Sequence, residues 1–266
     1  MSGRREGGRK RKRSTKVPEV PARSAGGPAD ALRESLERRF RTTTTDVDLG
    51  RFTAPLLHPA NSEELIDEEE FERDERLPYW ADVWPAARVL ARHVAHLDGH
   101  GHTLLELGCG AGLVAAAAAR AGFAVTATDY YEDSLSFTRV NVAAAAPRAT
   151  LHTQLVDWRD FPEDLGTFDV VVASDVLYEH AYGPLVARAI ARTLADAGAA
   201  WLTDPGRIAA EAFVEEAQRL GLDVHTAERV RLPIDESVVQ TIDLYVLRWP
   251  RVRRFPSGAS PRCGRA

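Results

Sequence analysis

The stretch Thr103-Leu-Leu-Glu-Leu-Gly-Cys-Gly-Ala-Gly-Leu113 constrains this chain more than any other. A short apolar run, Leu104-Leu105, leads through Glu106 to glycines at alternate positions, Gly108, Gly110 and Gly112. An Ala-rich helix is predicted from about Leu113 to Arg120, with Gly122 to stop it; a second apolar run, Phe123 to Thr128, then ends in Asp129. The order is strand, glycine turn, helix, strand, carboxylate. A turn this tight needs residues without a Cβ, so that the backbone can press against a ligand. The unpaired N–H groups at the helix start can meet polar ligand atoms. A carboxylate about 20 residues on is placed to hold a ribose hydroxyl pair. The stretch predicts a site for an adenosine-type cofactor.

The dinucleotide fingerprint puts its third glycine three positions after the second. That position here is Leu113, and the third glycine comes early, at Gly112. A dehydrogenase and a methyltransferase are the two readings to weigh. Glu106, two residues before a Gly-x-Gly-x-Gly run, is similar to the S-adenosylmethionine (SAM) loop of class I methyltransferases, which has no pyrophosphate to cradle.

The length of 266 residues fits one substantial domain with some extra chain, and 44% hydrophobic with 27% charged residues is ordinary for a soluble fold. No apolar run approaches the ~20 residues of a membrane span, and no apolar core follows the N-terminus as in a secretory leader. Cys109 and Cys263 offer no disulfide framework, so a reducing, cytoplasmic setting is expected, without a metal centre. The net charge of −5 hides an asymmetry: residues 1–16 hold eight Lys and Arg against Glu6, so the chain divides into +7 there and −12 elsewhere. An acidic body argues against nucleic acid as the main substrate, because phosphate binding relies on Lys and Arg. Residues 1–28 are read as a disordered basic tail, either solvated or a nucleic-acid or nuclear-localisation arm.

An N-terminal extension over 29–76 is expected to hold a short helix from Ala31 to Phe40 capped by Asp30, and one or two edge strands within Thr42–Leu57. An acidic helix, Ser62 to Glu75, is either a solvated face or a rim that attracts a cationic substrate. Pro85 opens a further helix with Val83, Ala87, Leu90, Val94 and Leu97 on one face; Tyr79, Trp80 and Trp84 ahead of it are either core or one wall of a pocket. Beyond Asp129 the pattern predicts a helix over Glu132–Ala145, a strand over Thr150–Val156, and a doubly apolar strand, Phe168–Ala173. A helix over Pro184–Leu194, a strand over Ala199–Thr203, and a helix ending at Leu220 follow. Leu222–Arg231 and Val239–Trp249 should form a hairpin. Residues 251–266 read as a loose tail. The fold expected for 77–250 is α/β: a doubly wound, Rossmann-like, seven-stranded, mostly parallel sheet with a C-terminal antiparallel hairpin. Glu106, Asp129, Asp157 and Asp175 then fall at strand ends, where such sheets bind ligands.

Trp84-Pro-Ala-Ala, the glycine run with Glu106, Asp129, Asp157-Trp158 and Asp175-x-x-Tyr178 together resemble the seven-β-strand protein-lysine methyltransferases of methyltransferase family 16, whose relatives are also called nicotinamide N-methyltransferase-like. Leu77-Pro-Tyr-Trp-x-x-x-Trp-Pro85 and Asp204-Pro-Gly-Arg207 are similar to motifs of the branch that acts on the electron-transfer flavoprotein β-subunit. The resemblance covers roughly Phe52 to Trp249. It implies SAM as cofactor, with Gly108 and Gly110 on its methionine portion, Gly112 among the cofactor-binding residues of the loop and Glu106 ordering it. It implies Asp129 on the ribose, Asp157 and Trp158 along the adenine, and Trp84 and Ser174 completing the pocket. Asp175 and Tyr178 would face the substrate. The implied partner is a protein presenting a lysine to a monomeric enzyme. The rival readings are a small-molecule amine N-methyltransferase and a SAM-binding module without catalysis.

Overall fold

The computed structural model describes residues 27–66, 77–234 and 237–250. It begins with helix α1 (Pro28–Arg39) and a separate antiparallel pair, β1 (Thr42–Asp48) and β2 (Thr53–Pro59). The helix starts three residues earlier than the sequence suggests. Asp30 does not stand at its cap position; it lies within the first turn, and its carboxylate reaches back to accept the Gly27 N–H at 2.9 Å. The β1–β2 pair is not an edge of the main sheet. Of the acidic helix expected over 62–75, only a 3-10 turn at Glu63–Leu65 is described; residues 67–76 lie outside the described residues, as do most of the basic tail and 251–266.

The main sheet has seven strands in the order β5-β4-β3-β6-β7-β9-β8. They are β3 (Thr103–Leu107), β4 (Ala124–Asp129), β5 (Leu151–Leu155), β6 (Phe168–Ser174), β7 (Leu194–Asp204), β8 (Asp223–Pro233) and β9 (Val239–Arg248). β9 is antiparallel to both its neighbours, so it alone runs against the sheet. One face is covered by α2 (Pro85–Val94), α3 (Leu113–Ala121) and α4 (Glu132–Ala145), the other by α5 (Tyr182–Thr193) and α6 (Ala210–Arg219). β6 is sealed from both sides: Val172 lies in one apolar cluster, and Val171 and Ala173 lie in the other. That explains its unbroken apolar run. A third cluster of Leu36, Leu57, Trp80 and Phe137 fastens α1 and the β1–β2 pair to α4.

The chain moves outward from β3 through β4 to β5, then returns to place β6 on the other side of β3. The crossover leaves a crevice at the carboxyl ends of β3, β4 and β6. Parallel register aligns Leu107 with Thr128 and with Ala173. The next residues, Gly108, Asp129 and Ser174, therefore leave the sheet at one level.

Candidate active site

A cleft opens at this crevice. Its floor is the glycine turn. Gly108 has φ +72°, and a Cβ there would stand 3.1 Å from Val176 and 3.3 Å from the Trp158 ring. Any side chain at 108 would crowd Val176 and Trp158 at the floor of the cleft. Six carboxylates line the cleft, those of Asp82, Glu106, Asp129, Asp157, Asp175 and Glu179, and among the described residues no Lys, Arg or His lines it.

Each carboxylate is held differently. Asp129, buried at the end of β4, accepts the Gly110 N–H at 2.9 Å and the Tyr131 N–H at 3.1 Å. Burial raises its pKa above the ordinary carboxylate value, and those backbone bonds partly offset the shift. Glu106 is 1% exposed, and burial drives its pKa well up. The backbone N–H of Ala115, in the first turn of α3, pulls that pKa partly back down, while Oε2 has no partner. Asp157 is bracketed by Arg159, whose backbone N–H lies 2.9 Å from Oδ1 and whose Nη2 lies 2.8 Å from Oδ2. Asp175 follows β6 with φ +55°, a left-handed backbone unusual outside glycine, and its Oδ2 is also without a partner.

The aromatic residues form one edge-to-face series along the cleft. Trp84 meets Tyr79 with centroids 6.0 Å apart, Tyr79 meets Tyr178 at 5.1 Å, Tyr178 meets Tyr182 at 5.2 Å, and Tyr182 meets Trp158 at 5.2 Å. Burial pushes the Tyr178 phenol far up, so it stays protonated. The two readings of the upstream aromatics divide by residue. Tyr79 and Trp84 belong to this wall, whereas Trp80 serves both, lining the cleft while its ring packs on Phe137 and Phe40.

The cleft brings together Trp84, Glu106, Gly108, Gly110, Asp129, Asp157, Trp158, Ser174, Asp175 and Tyr178. Gly112 corrects the expectation: it does not line the cleft. It precedes α3 at φ +84°, and a Cβ there would come within 2.6 Å of Thr138 Oγ1 and 2.7 Å of its Cα. Its role is helix packing beneath the loop. Gly112→Ala should therefore destabilise the fold by about 2–4 kcal/mol through strain and overpacking. A denaturant titration measures this, and a midpoint equal to wild type contradicts it.

Three residues on α4 escaped the sequence reading. Ser134 and Thr138 donate their hydroxyls to Gly110 O at 2.7 and 3.2 Å. The Asn141 amide donates to Ala111 O and Leu57 O, and its oxygen accepts the Leu57 N–H, all at 2.8 Å. Positions 134, 138 and 141 are four and three apart, one face of a helix, and all are buried. A polar stripe at that spacing, just after Asp129, was the available signal. Among the described residues no cluster of His, Cys, Asp and Glu is arranged to hold a metal ion, and no helix is long and apolar enough to cross a membrane.

A family model described as lysine methyltransferase (methyltransferase family 16) matches residues 67–211. Over 103 residues the chain is 34% identical to Protein N-lysine methyltransferase METTL21A of Xenopus tropicalis, a match covering 37% of this chain and 47% of that protein. Over 115 residues it is 33% identical to the Ubiquinone biosynthesis O-methyltransferase of Xanthomonas oryzae pv. oryzae, covering 42% of this chain and 47% of that protein. The chain thus spans about half the length of the curated relatives it matches. PH0793, a provisionally assigned transferase of Pyrococcus horikoshii with a crystal structure, superposes with a TM-score of 0.51 at 15% identity, covering 79% of this chain and 73% of that one. At that identity the likeness speaks for the fold alone, the doubly wound α/β sheet described above. The narrower likeness to the electron-transfer flavoprotein branch rests on the motifs alone.

Proposed function

Since the chain belongs to the lysine methyltransferase family whose model it matches, we propose that it transfers a methyl group from SAM to the side-chain amine of a lysine in a protein. One observation carries the reading: a cleft at the switch point has six carboxylates and, among the described residues, no cation in its lining. Such a lining suits a ligand with a sulfonium and an ammonium, and repels the pyrophosphate of a dinucleotide. The bare Gly108 leaves room for the methionine portion, the Glu106 side chain has an unpartnered buried oxygen beside it, and Asp129 offers a carboxylate to the ribose hydroxyls. Asp157 and Trp158 would flank the adenine, and Trp84 and Ser174 would close the pocket.

SAM supplies, when bound, a methyl on positively charged sulfur, open to in-line attack by a nitrogen lone pair. The protein's task is then to hold and aim the acceptor. A free lysine has a pKa of about 10.4, so presenting the neutral amine at pH 7 costs about 4.6 kcal/mol. Asp175 would aim the nitrogen, Tyr79 and Tyr178 would give it π faces that tolerate a cation, and the proton would leave to water. A monomer in a reducing, cytoplasmic setting, acting on a protein, belongs to the same proposal; the buried thiol of Cys109 supports the reducing setting.

Calorimetry tests the cofactor half directly. SAM and its demethylated product should both bind, and NAD should not. Binding of NAD without SAM would overturn the proposal.

A further inference from the structure

The turn Asp204-Pro-Gly-Arg207 lies outside the cleft lining, yet it is bonded to it. β6 and β7 pair Ser174 with Thr203, so Asp175 and Asp204 follow side by side, and the Asp175 N–H donates to Thr203 O at 2.9 Å. Asp204 Oδ1 accepts the N–H groups of Gly206 and Arg207 at 2.8 and 2.7 Å. This fixes the turn, and Arg207 Nε then donates to Asp175 Oδ1 at 2.7 Å. The guanidinium also lies 5.5 Å from the Trp84 ring centroid. The Asp175 side chain is 2% exposed. One of its oxygens is committed to a built-in cation, and the other is buried without a partner in a residue that lines the cleft.

A lone carboxylate beside the acceptor would favour its ammonium form and so oppose attack. A carboxylate neutralised by arginine still accepts one N–H bond through its free oxygen, with little net pull on the proton. Resting on the lysine N-methylation reading above, we propose that Arg207 is a positioning residue: it neutralises Asp175, so that the pair aims the acceptor amine without retaining its proton.

The surrounding groups leave this task to Arg207. Asp82 and Tyr79 face the cleft from the segment before α2, Glu106 from β3 and Asp129 from β4. Tyr178 and Glu179 face it from the loop after β6 and Tyr182 from the first residue of α5, and Asp204 stands beside Asp175. Arg159 is already bonded to Asp157. Among the described residues Arg207 is the cation bonded to Asp175.

The test begins with the full chain, methyl-labelled SAM and lysate proteins, from which the labelled protein is identified and purified. With that protein at saturation, kcat is followed from pH 6 to 10. The rate should rise along an acid limb as the bound amine loses its proton. Arg207→Met should move that limb upward by about one pH unit, making the enzyme about tenfold slower at pH 7 and nearly normal at the alkaline end. R207K, which keeps the charge, should restore most of the limb. The double variant D175N/R207M, which removes both charges, should bring it back toward the wild-type position. R207Q substitutes if R207M does not fold. A uniform slowing at every pH, or an unmoved limb in a protein of normal melting temperature, overturns the proposal. If wild type places no methyl group on any protein, the reading beneath it fails, and this inference fails with it.

Discussion

Asp129→Ala is expected to lose at least about a hundredfold in affinity for SAM. A carboxylate that accepts two ribose hydroxyls makes charge-assisted hydrogen bonds worth about 1.5–3 kcal/mol each, and about 3 kcal/mol is already a factor of more than 100. The same carboxylate also fixes the glycine turn through the Gly110 and Tyr131 N–H groups. On the proposed reading the substitution would therefore remove the ribose contact and slacken the glycine turn. Asp129→Asn keeps the shape and one acceptor oxygen, so its loss should be smaller. Because burial raises the Asp129 pKa, protonation should compete with the ribose at a higher pH than for an exposed aspartate, and affinity should fall as pH falls through that range. Calorimetry across pH measures both effects. Wild-type affinity in a folded Asp129→Ala protein would remove the ribose contact from the account.

The second large effect is placed at Asp175. Its loss should lower single-turnover methyl transfer by at least about tenfold, that is, about 1.4 kcal/mol of barrier, while SAM affinity falls far less than for Asp129→Ala. The choice of variant matters, because the residue sits at φ +55°. Alanine disfavours that backbone, whereas asparagine tolerates it nearly as well as aspartate. Asp175→Asn thus removes the charge with little strain, and Asp175→Ala adds a folding penalty. If the residue only shapes the turn, Asp175→Asn keeps full activity and Asp175→Ala loses stability. If it aims the acceptor, both are slow, and only the alanine variant melts early.

Much of this arrangement was legible in the sequence because local chemistry and global position coincide there. Alternating glycines need unusual backbone, an apolar run ending in Asp129 needs a strand, and a run buried on both faces needs β6 at the centre. Gly112 was misassigned because the sequence shows a missing Cβ without showing what would collide with it; the collision is with Thr138, on a helix 26 residues away. The α1 start was missed for a similar reason: an aspartate inside the first turn can reach back to the preceding N–H as readily as a residue at the cap. The Asp175–Arg207 pair is a long-range product of strand register, 32 residues apart in sequence, and no local pattern encodes it. The hydroxyl and amide stripe of α4 was readable in principle. It was passed over because buried polar residues on a helix resemble an ordinary amphipathic face until the loop they hold is known.

The central claim is that the methyl group goes to lysine in a protein, and one measurement addresses it most directly. The full chain is incubated with methyl-labelled SAM and lysate, and the protein fraction is hydrolysed to amino acids. The account predicts label recovered as N-methylated lysine, incorporated at least about tenfold more slowly with Asp175→Asn. Label found only in small molecules, or on an amino acid other than lysine, would contradict it.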